Sequence, residues 1–152
     1  MKTLLLSAIA LTLISLFAPQ AGVAAESLKQ VYHFAPALEQ DLGFSRAVRV
    51  GNTLYISGSV GAGEMPAAIK QAYDRIGKTL EAHNLGFENI VKETLFATDL
   101  EAFKKHRELR KQYYKGDYPA STWVEVRRLN TPELVLEVEA IAVFPSATSN
   151  GQ

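Results

Sequence analysis

Ten residues near the end of the chain, Leu134 to Val143, divide by parity into two unlike sets. Leu134, Leu136, Val138, Ala140 and Ala142 are all apolar, whereas Glu137 and Glu139 stand among Val135, Ile141 and Val143 in the other set. A β-strand sends alternate residues to opposite faces, so one face belongs under a packed layer and the other carries two carboxylates beside branched apolar residues. Such a strand needs helices on one side of its sheet and something other than open water on the second. The mixed face suits a subunit interface with a polar cleft, and self-association is the expectation.

The elements that would build this sheet can be read along the chain. Residues 26 to 43 have no clear period, although Leu28 to Phe34 can form a short first strand. Phe44, Arg46, Val48 and Val50 then alternate with Ser45, Ala47 and Arg49, and Gly51-Asn52 separates them from Thr53-Leu54-Tyr55-Ile56-Ser57. A Gly-Asn pair between two such runs predicts a hairpin, because both residues tolerate positive φ. A glycine-rich connection, Gly58 to Gly63, leads to a helix on which Ile69, Ala72, Tyr73, Ile76 and Leu80 follow the 3.6-residue period, with Pro66 in its first turn and Gly86 at its end. Asn89 to Thr98 reads as a strand, and Asp99 as the cap of a second helix running to about Gly116 with Phe103, His106, Leu109 or Arg110, and Tyr113 inward. Ser121 to Arg128 and Glu133 to Phe144 are the last strands, parted by a turn at Asn130-Thr131-Pro132. The order is β-β-β-α-β-α-β-β, an α+β domain over residues 26–145 followed by a small, polar tail at 146–152.

The first 25 residues have a different character. Lys2 precedes an uncharged apolar run from Leu4 to Phe17, Pro19 breaks it, and Val23-Ala24-Ala25 supplies small residues before a cleavage point after Ala25. The run falls short of the ~20 residues that span a bilayer, which favours a cleaved signal peptide over an anchor and a periplasmic or secreted destination. Removal of this segment takes one lysine and no acid from a balance of 16 against 16, leaving 15 against 16. A net charge of −1 gives no general attraction to nucleic acid or to an anionic membrane. Cysteine is absent, so disulfides and thiolate chemistry are excluded.

Several candidate chemistries have no support in the residues. Gly58 to Gly63 lacks both a following Lys-Ser/Thr pair and the dinucleotide-binding spacing, so a tight connection needing glycine backbones is the better reading. His33, His83 and His106 form neither a His-x-His nor a His-Glu-x-x-His arrangement, which points to packing or surface roles and predicts no metal. Lys104, Lys105, Arg107, Arg110 and Lys111 are interleaved with Glu101 and Glu108, as on a solvated helix face carrying intrahelical pairs.

Four segments taken together are more specific: Phe44 to Gly58, Gly63-Glu64-Met65-Pro66-Ala67, Tyr118-Pro119-Ala120, and Leu136-Glu137-Val138-Glu139-Ala140-Ile141-Ala142. In this combination and order, from about Phe44 to Val143, the chain resembles the RidA/YjgF family of imine and enamine deaminases. The resemblance implies a chorismate-mutase-like β-β-α-β-α-β-β sheet with two helices on one face, and a homotrimer with small-molecule clefts between subunits. It further implies hydrolysis of short 2-imino or enamine acids to the keto acid and ammonia, with no metal or organic cofactor.

Such chemistry needs a cation for the substrate carboxylate, a placed water to attack the C=N carbon, and an acid for the leaving nitrogen. The resemblance makes Glu137 the acid and Ser57-Gly58 a backbone site, and places Phe44 where an aromatic hydroxyl often stands. It also locates the family's carboxylate-holding arginine directly after Pro-Ala, where this chain has Ser121. A guanidinium-carboxylate pair is charge-assisted and about twice as strong as a neutral hydrogen bond, so the usual 2-aminoacrylate activity is in question. Trp123, where family members carry a small residue, either lines the cleft or packs an interface. Strand alternation offers Arg46 as a substitute cation, with Arg127 second. The alternative to an enzyme is a trimeric ligand-binding or holdase-like module. For the export segment, the mature protein should begin at Glu26 by mass spectrometry; a chain retaining Met1 would overturn that expectation.

Overall fold

The computed structural model describes residues 28–146; the predicted export segment at 1–25 and the tail beyond Ser146 lie outside the described residues. The elements are β1 (Lys29–Tyr32), α1 (Pro36–Leu42), β2 (Ala47–Val50), β3 (Thr53–Ala62), α2 (Met65–Glu81), β4 (Ile90–Ala97), α3 (Leu100–Tyr114), β5 (Ala120–Glu125) and β6 (Leu134–Val143). Six strands form one sheet in the order β1-β2-β3-β6-β4-β5. All neighbours are antiparallel except β4 and β5, which run parallel. A parallel pair needs a crossover, and α3 provides it. The last strand thus inserts between β3 and β4, where it joins the two halves of the sheet.

The parity of β6 is realised. Leu136, Val138 and Ala142 have no exposed surface and Ala140 is 3% exposed, whereas Glu137 and Ile141 are half-buried and Glu139 is exposed on the uncovered side. Above the first set lies α2, whose Ile69, Ala72, Tyr73 and Ile76 are fully enclosed. The Gly-Asn hairpin also forms, pairing Val50 with Thr53. Gly51 alone of its two loop residues takes a positive φ, which excludes the type I′ turn, where both must.

Three features differ from the sequence reading. A short helix, α1, occupies part of the stretch without a clear period; Pro36 starts it and Gly43, at φ 76°, ends it. The glycine-rich segment is strand as far as Ala62, paired with β6, and position 61 requires glycine because any Cβ there would come within 2.1 Å of the Ala68 carbonyl oxygen on α2. Finally, α2 stops at Glu81, before Gly86, with Asn84 taking the left-handed conformation at φ 55°.

The basic helix also holds one residue that belongs inside. Lys104 pairs with Glu101 at 2.6 Å and Lys111 with Glu108 at 2.9 Å in solvent, as expected of that face. Arg110 instead is 5% exposed, and its Nε donates to Glu93 Oε1 at 2.6 Å. Glu93 itself has no exposed surface and accepts three further bonds, from Ser121 Oγ (2.6 Å), Tyr114 OH (2.6 Å) and Tyr73 OH (3.0 Å). Burial, followed by the Glu93 charge, raises both the Tyr73 and the Tyr114 phenol pKa well above the ordinary value.

An enclosed carboxylate that loses its cation is left uncompensated, which costs about 3–5 kcal/mol. Arg110→Met should lower the unfolding free energy by about that amount in denaturant titration, and adding Glu93→Gln should recover part of the loss, because a neutral amide removes the stranded charge while keeping an acceptor for the Tyr73, Tyr114 and Ser121 hydroxyls.

Candidate active site

A cavity of about 750 Å³ opens where β3 and β6 meet the chain leading out of α1. Its polar end is built by an irregularity in β3. Ile56 pairs with Ala140 and Ser59 with Val138, so three steps on β3 face two on β6, and the extra residue falls at Ser57-Gly58. A bulge of this kind turns backbone groups away from the ladder. The Gly58 carbonyl accepts from Arg46 Nη2 at 2.7 Å, while Ser57 Oγ donates to the Ser45 carbonyl at 2.6 Å.

Glu137 lies directly over the bulge: a Cβ at position 58 would sit 1.8 Å from its Oε1. Glycine at 58 is therefore what permits the carboxylate its place. Burial raises the Glu137 pKa above its ordinary 4.5, the Glu139 charge adds to the rise, and Arg46 opposes it. A carboxyl shifted this way holds a proton more readily, as a group handling a leaving nitrogen requires.

Arg46 is 9% exposed, with Nη1 donating to Ser59 Oγ at 3.1 Å and its guanidinium 5.9 Å from the centre of the Phe44 ring. Burial lowers its pKa, partly offset by Glu39 and Glu137. The backbone around Arg46 is held by Glu39, which is 3% exposed. Glu39 accepts from the amides of Phe34 (2.9 Å), Ala35 (2.8 Å) and Arg46 (3.1 Å), and meets His33 Nδ1 at 2.8 Å. Burial alone would raise the pKa of this carboxyl, but the bonds from Ala35, His33, Phe34 and Arg46 hold it below the usual value.

The cavity thus gathers Phe44, Arg46, Ser57, Gly58 and Glu137, all named from the sequence. Ser121 and Trp123 lie elsewhere in the chain, on β5 at the far edge of the sheet, with β4 separating that strand from β6. Their side chains engage the buried network: Trp123 Nε1 donates to Ser121 Oγ at 2.6 Å, Ser121 donates to Glu93, and the indole meets Phe103 edge-on at 5.0 Å. Arg127 is exposed and does not line the cavity.

Glu39 and Arg75, whose Nη1 donates to the Val60 carbonyl at 2.6 Å, also line the cavity and have no counterpart in the sequence reading. A signal for the first did exist: Pro36 and Gly43 bracket a helix, with Leu38 and Leu42 one turn apart, and Glu39 falls within it. Arg75 follows a helical period and gives no such sign. Among the described residues, no group of three or more His, Cys, Asp or Glu side chains is placed to hold a metal ion. Nor is any described helix long and apolar enough to cross a membrane.

Comparison with known proteins adds the following. The family profile described as Endoribonuclease L-PSP matches residues 35–144. The human 2-iminobutanoate/2-iminopropanoate deaminase is 34% identical over 109 residues, covering 66% of this chain and 79% of the human one. Its mouse counterpart is 38% identical, over 66% of this chain and 80% of its own length. Among solved structures, a Mycobacterium tuberculosis member of the YjgF/YER057c/UK114 family superposes with a TM-score of 0.70 at 28% identity, covering 76% of this chain and 98% of that one. The E. coli protein TdcF, solved with bound serine, has a TM-score of 0.62 at 26% identity, covering 67% of this chain and 88% of its own.

The raised pKa of Glu137 has a consequence for stability. Its proton is bound more tightly in the folded state, so the contribution is full below 4.5 and is lost as pH rises through the folded value. Glu137→Gln, neutral throughout, should therefore melt higher than the native protein at pH 7 and lose that advantage by about pH 4; thermal melts across this range measure the difference.

Proposed function

The chain belongs to the Endoribonuclease L-PSP, or RidA/YjgF, family, and from that premise we propose that it hydrolyses the C=N bond of small 2-imino acids, with Glu137 as the proton-handling group. The observation that carries this reading is the Glu137 carboxyl seated over the Gly58 bulge, its pKa raised, in one cavity with Arg46. In the reaction, water adds to the imine carbon while the nitrogen is protonated, giving a carbinolamine. Collapse of that species forms the carbonyl, breaks the C–N bond and releases ammonia, so imine and water become keto acid and ammonia. Glu137 gives and takes the proton in these steps, and the bulge at Ser57-Gly58 offers backbone groups to hold the water. Arg46 takes the substrate carboxylate, supported by Arg75 at the same cavity. No metal or organic cofactor enters the scheme.

The same proposal includes assembly as a homotrimer. Tyr55, Val50 and Val91 are 49%, 42% and 48% exposed, which is substantial apolar surface for one chain in water. Covering it with neighbouring copies would put clefts between subunits, and Ser121 and Trp123 enter the reading only as contributions from an adjacent copy. Cleavage after Ala25 and a periplasmic or secreted location complete the proposal, supported by Lys2, the Leu4 to Phe17 run and Val23-Ala24-Ala25.

A second reading, a trimer that captures a small ligand without turning it over, is favoured by one observation: Ser121 directs its proton to Glu93, so its hydroxyl is a weaker anion donor than a guanidinium would be.

The two readings separate in one assay. With 2-iminobutanoate generated in situ by an amino-acid oxidase, the protein should speed ammonia release, and Glu137→Gln should lower kcat by about 10²–10⁴-fold. Arg46→Lys should act mainly on KM. Ammonia release at the uncatalysed rate, with ligand still bound, would establish the capture reading instead.

A further inference from the structure

The cavity is larger and more apolar than a four-carbon acid requires, and its lining combines two kinds of chemistry. Arg46, Arg75, Ser57 and Glu137 supply charged and polar groups. Phe34, Leu38, Leu42, Phe44 and Leu134 supply an apolar wall, with the Phe44 ring centre 5.9 Å from the Arg46 guanidinium. Leu38 and Leu42 stand one turn apart on α1, so they present a single apolar face, and they are 57% and 56% exposed. Phe34 is 56% exposed beside them. About 750 Å³ lies within the range of about 300–1,000 Å³ that accommodates drug-sized ligands.

The wall is fixed in place relative to the charged groups. Glu39, in the middle of α1, accepts from the Arg46 amide at 3.1 Å and from two amides just before the helix. The helix and the cation therefore share one anchor, and the distance between apolar wall and carboxylate site is set by the fold.

We propose that α1 makes this site selective for 2-imino acids with large apolar side chains, branched aliphatic or aromatic, over the three- and four-carbon imino acids for which the human and mouse relatives are named. The inference rests on the deaminase reading of the same cavity. Its occupant is the substrate side chain, because the apolar wall continues directly into the charged groups that would hold the carboxylate. Each methylene taken out of water strengthens binding about fourfold, so an isobutyl group in place of an ethyl group gains on the order of tenfold.

Calorimetric titration of the mature protein with stable keto acids tests this without turnover. 4-Methyl-2-oxopentanoate and phenylpyruvate should each bind at least tenfold more tightly than 2-oxobutanoate, and Leu38→Ser and Leu42→Ser should each reduce that ratio severalfold. Equal or weaker binding of the bulky acids overturns the inference, as does a ratio that both variants leave untouched. Also overturning it would be a change of sedimentation in Leu38→Ser with the ratio intact, since a second copy would then own the wall. A preference for bulky acids without turnover of any imine would uphold the selectivity and sink the deaminase reading, whereas turnover of 2-iminobutanoate without that preference would do the reverse.

Discussion

Glu93 is an acid with no exposed surface, and its two oxygens must be met by donors from whatever surrounds it. Those donors come from α2 through Tyr73, from α3 through Arg110 and Tyr114, and from β5 through Ser121. A single carboxylate on β4 thereby ties both covering helices to the edge strand of the sheet. Apolar packing holds the helices down, but packing alone tolerates sliding; a hydrogen-bonded ion pair does not. The aromatic residues around the pair, with Arg110 lying 4.7 Å from the Tyr114 ring centre and 5.7 Å from that of Trp123, shield it from water and strengthen it further.

This network explains why the β5 residues and the cavity residues have different roles within one chain. Ser121, exposed on the edge strand, and the half-buried Trp123 hydrogen-bond into the Glu93 cluster, and their polar atoms are spent there. Glu137, two strands away, stands over a glycine at a bulge and keeps its carboxyl open to the cavity. A second buried acid, Glu39, stabilises that side by organising the chain between β1 and β2 and bringing α1 against Arg46. The fold thus uses two enclosed carboxylates to hold structure and one partly solvated carboxylate at the candidate site.

Much of the sheet was legible from local pattern. The parity of Leu134–Val143, the Gly51-Asn52 hairpin, the inner stripe of α2 and the Asp99 cap, which accepts from the Ala102 amide at 2.8 Å, each follow from the spacing of neighbouring residues. Five of the seven named site residues also come together: Phe44 and Arg46 from the chain just before β2, Ser57 and Gly58 from the β3 bulge, and Glu137 from β6. Less legible was α1, whose seven residues carry too few apolar positions to declare a period. Arg110 was read both as a candidate for the inner stripe of α3 and among its solvated charges, because its partner Glu93 is 17 residues away and the spacing along the helix does not reveal it.

What the sequence determined by itself, then, was whatever depends on the order of adjacent residues: an α+β chain, a sheet covered on one face, and membership of a family whose carboxyl-bearing strand is intact. Only the tertiary structure decided which charges are buried, where the β3 bulge brings Glu137 over Gly58, and how an α1 wall joins the charged groups of the cavity. The physical reason is that the environment of a charge is made by groups distant in the chain. A sequence shows that a carboxylate exists, but its proton affinity and its task depend on the donors and the solvent that folding brings around it.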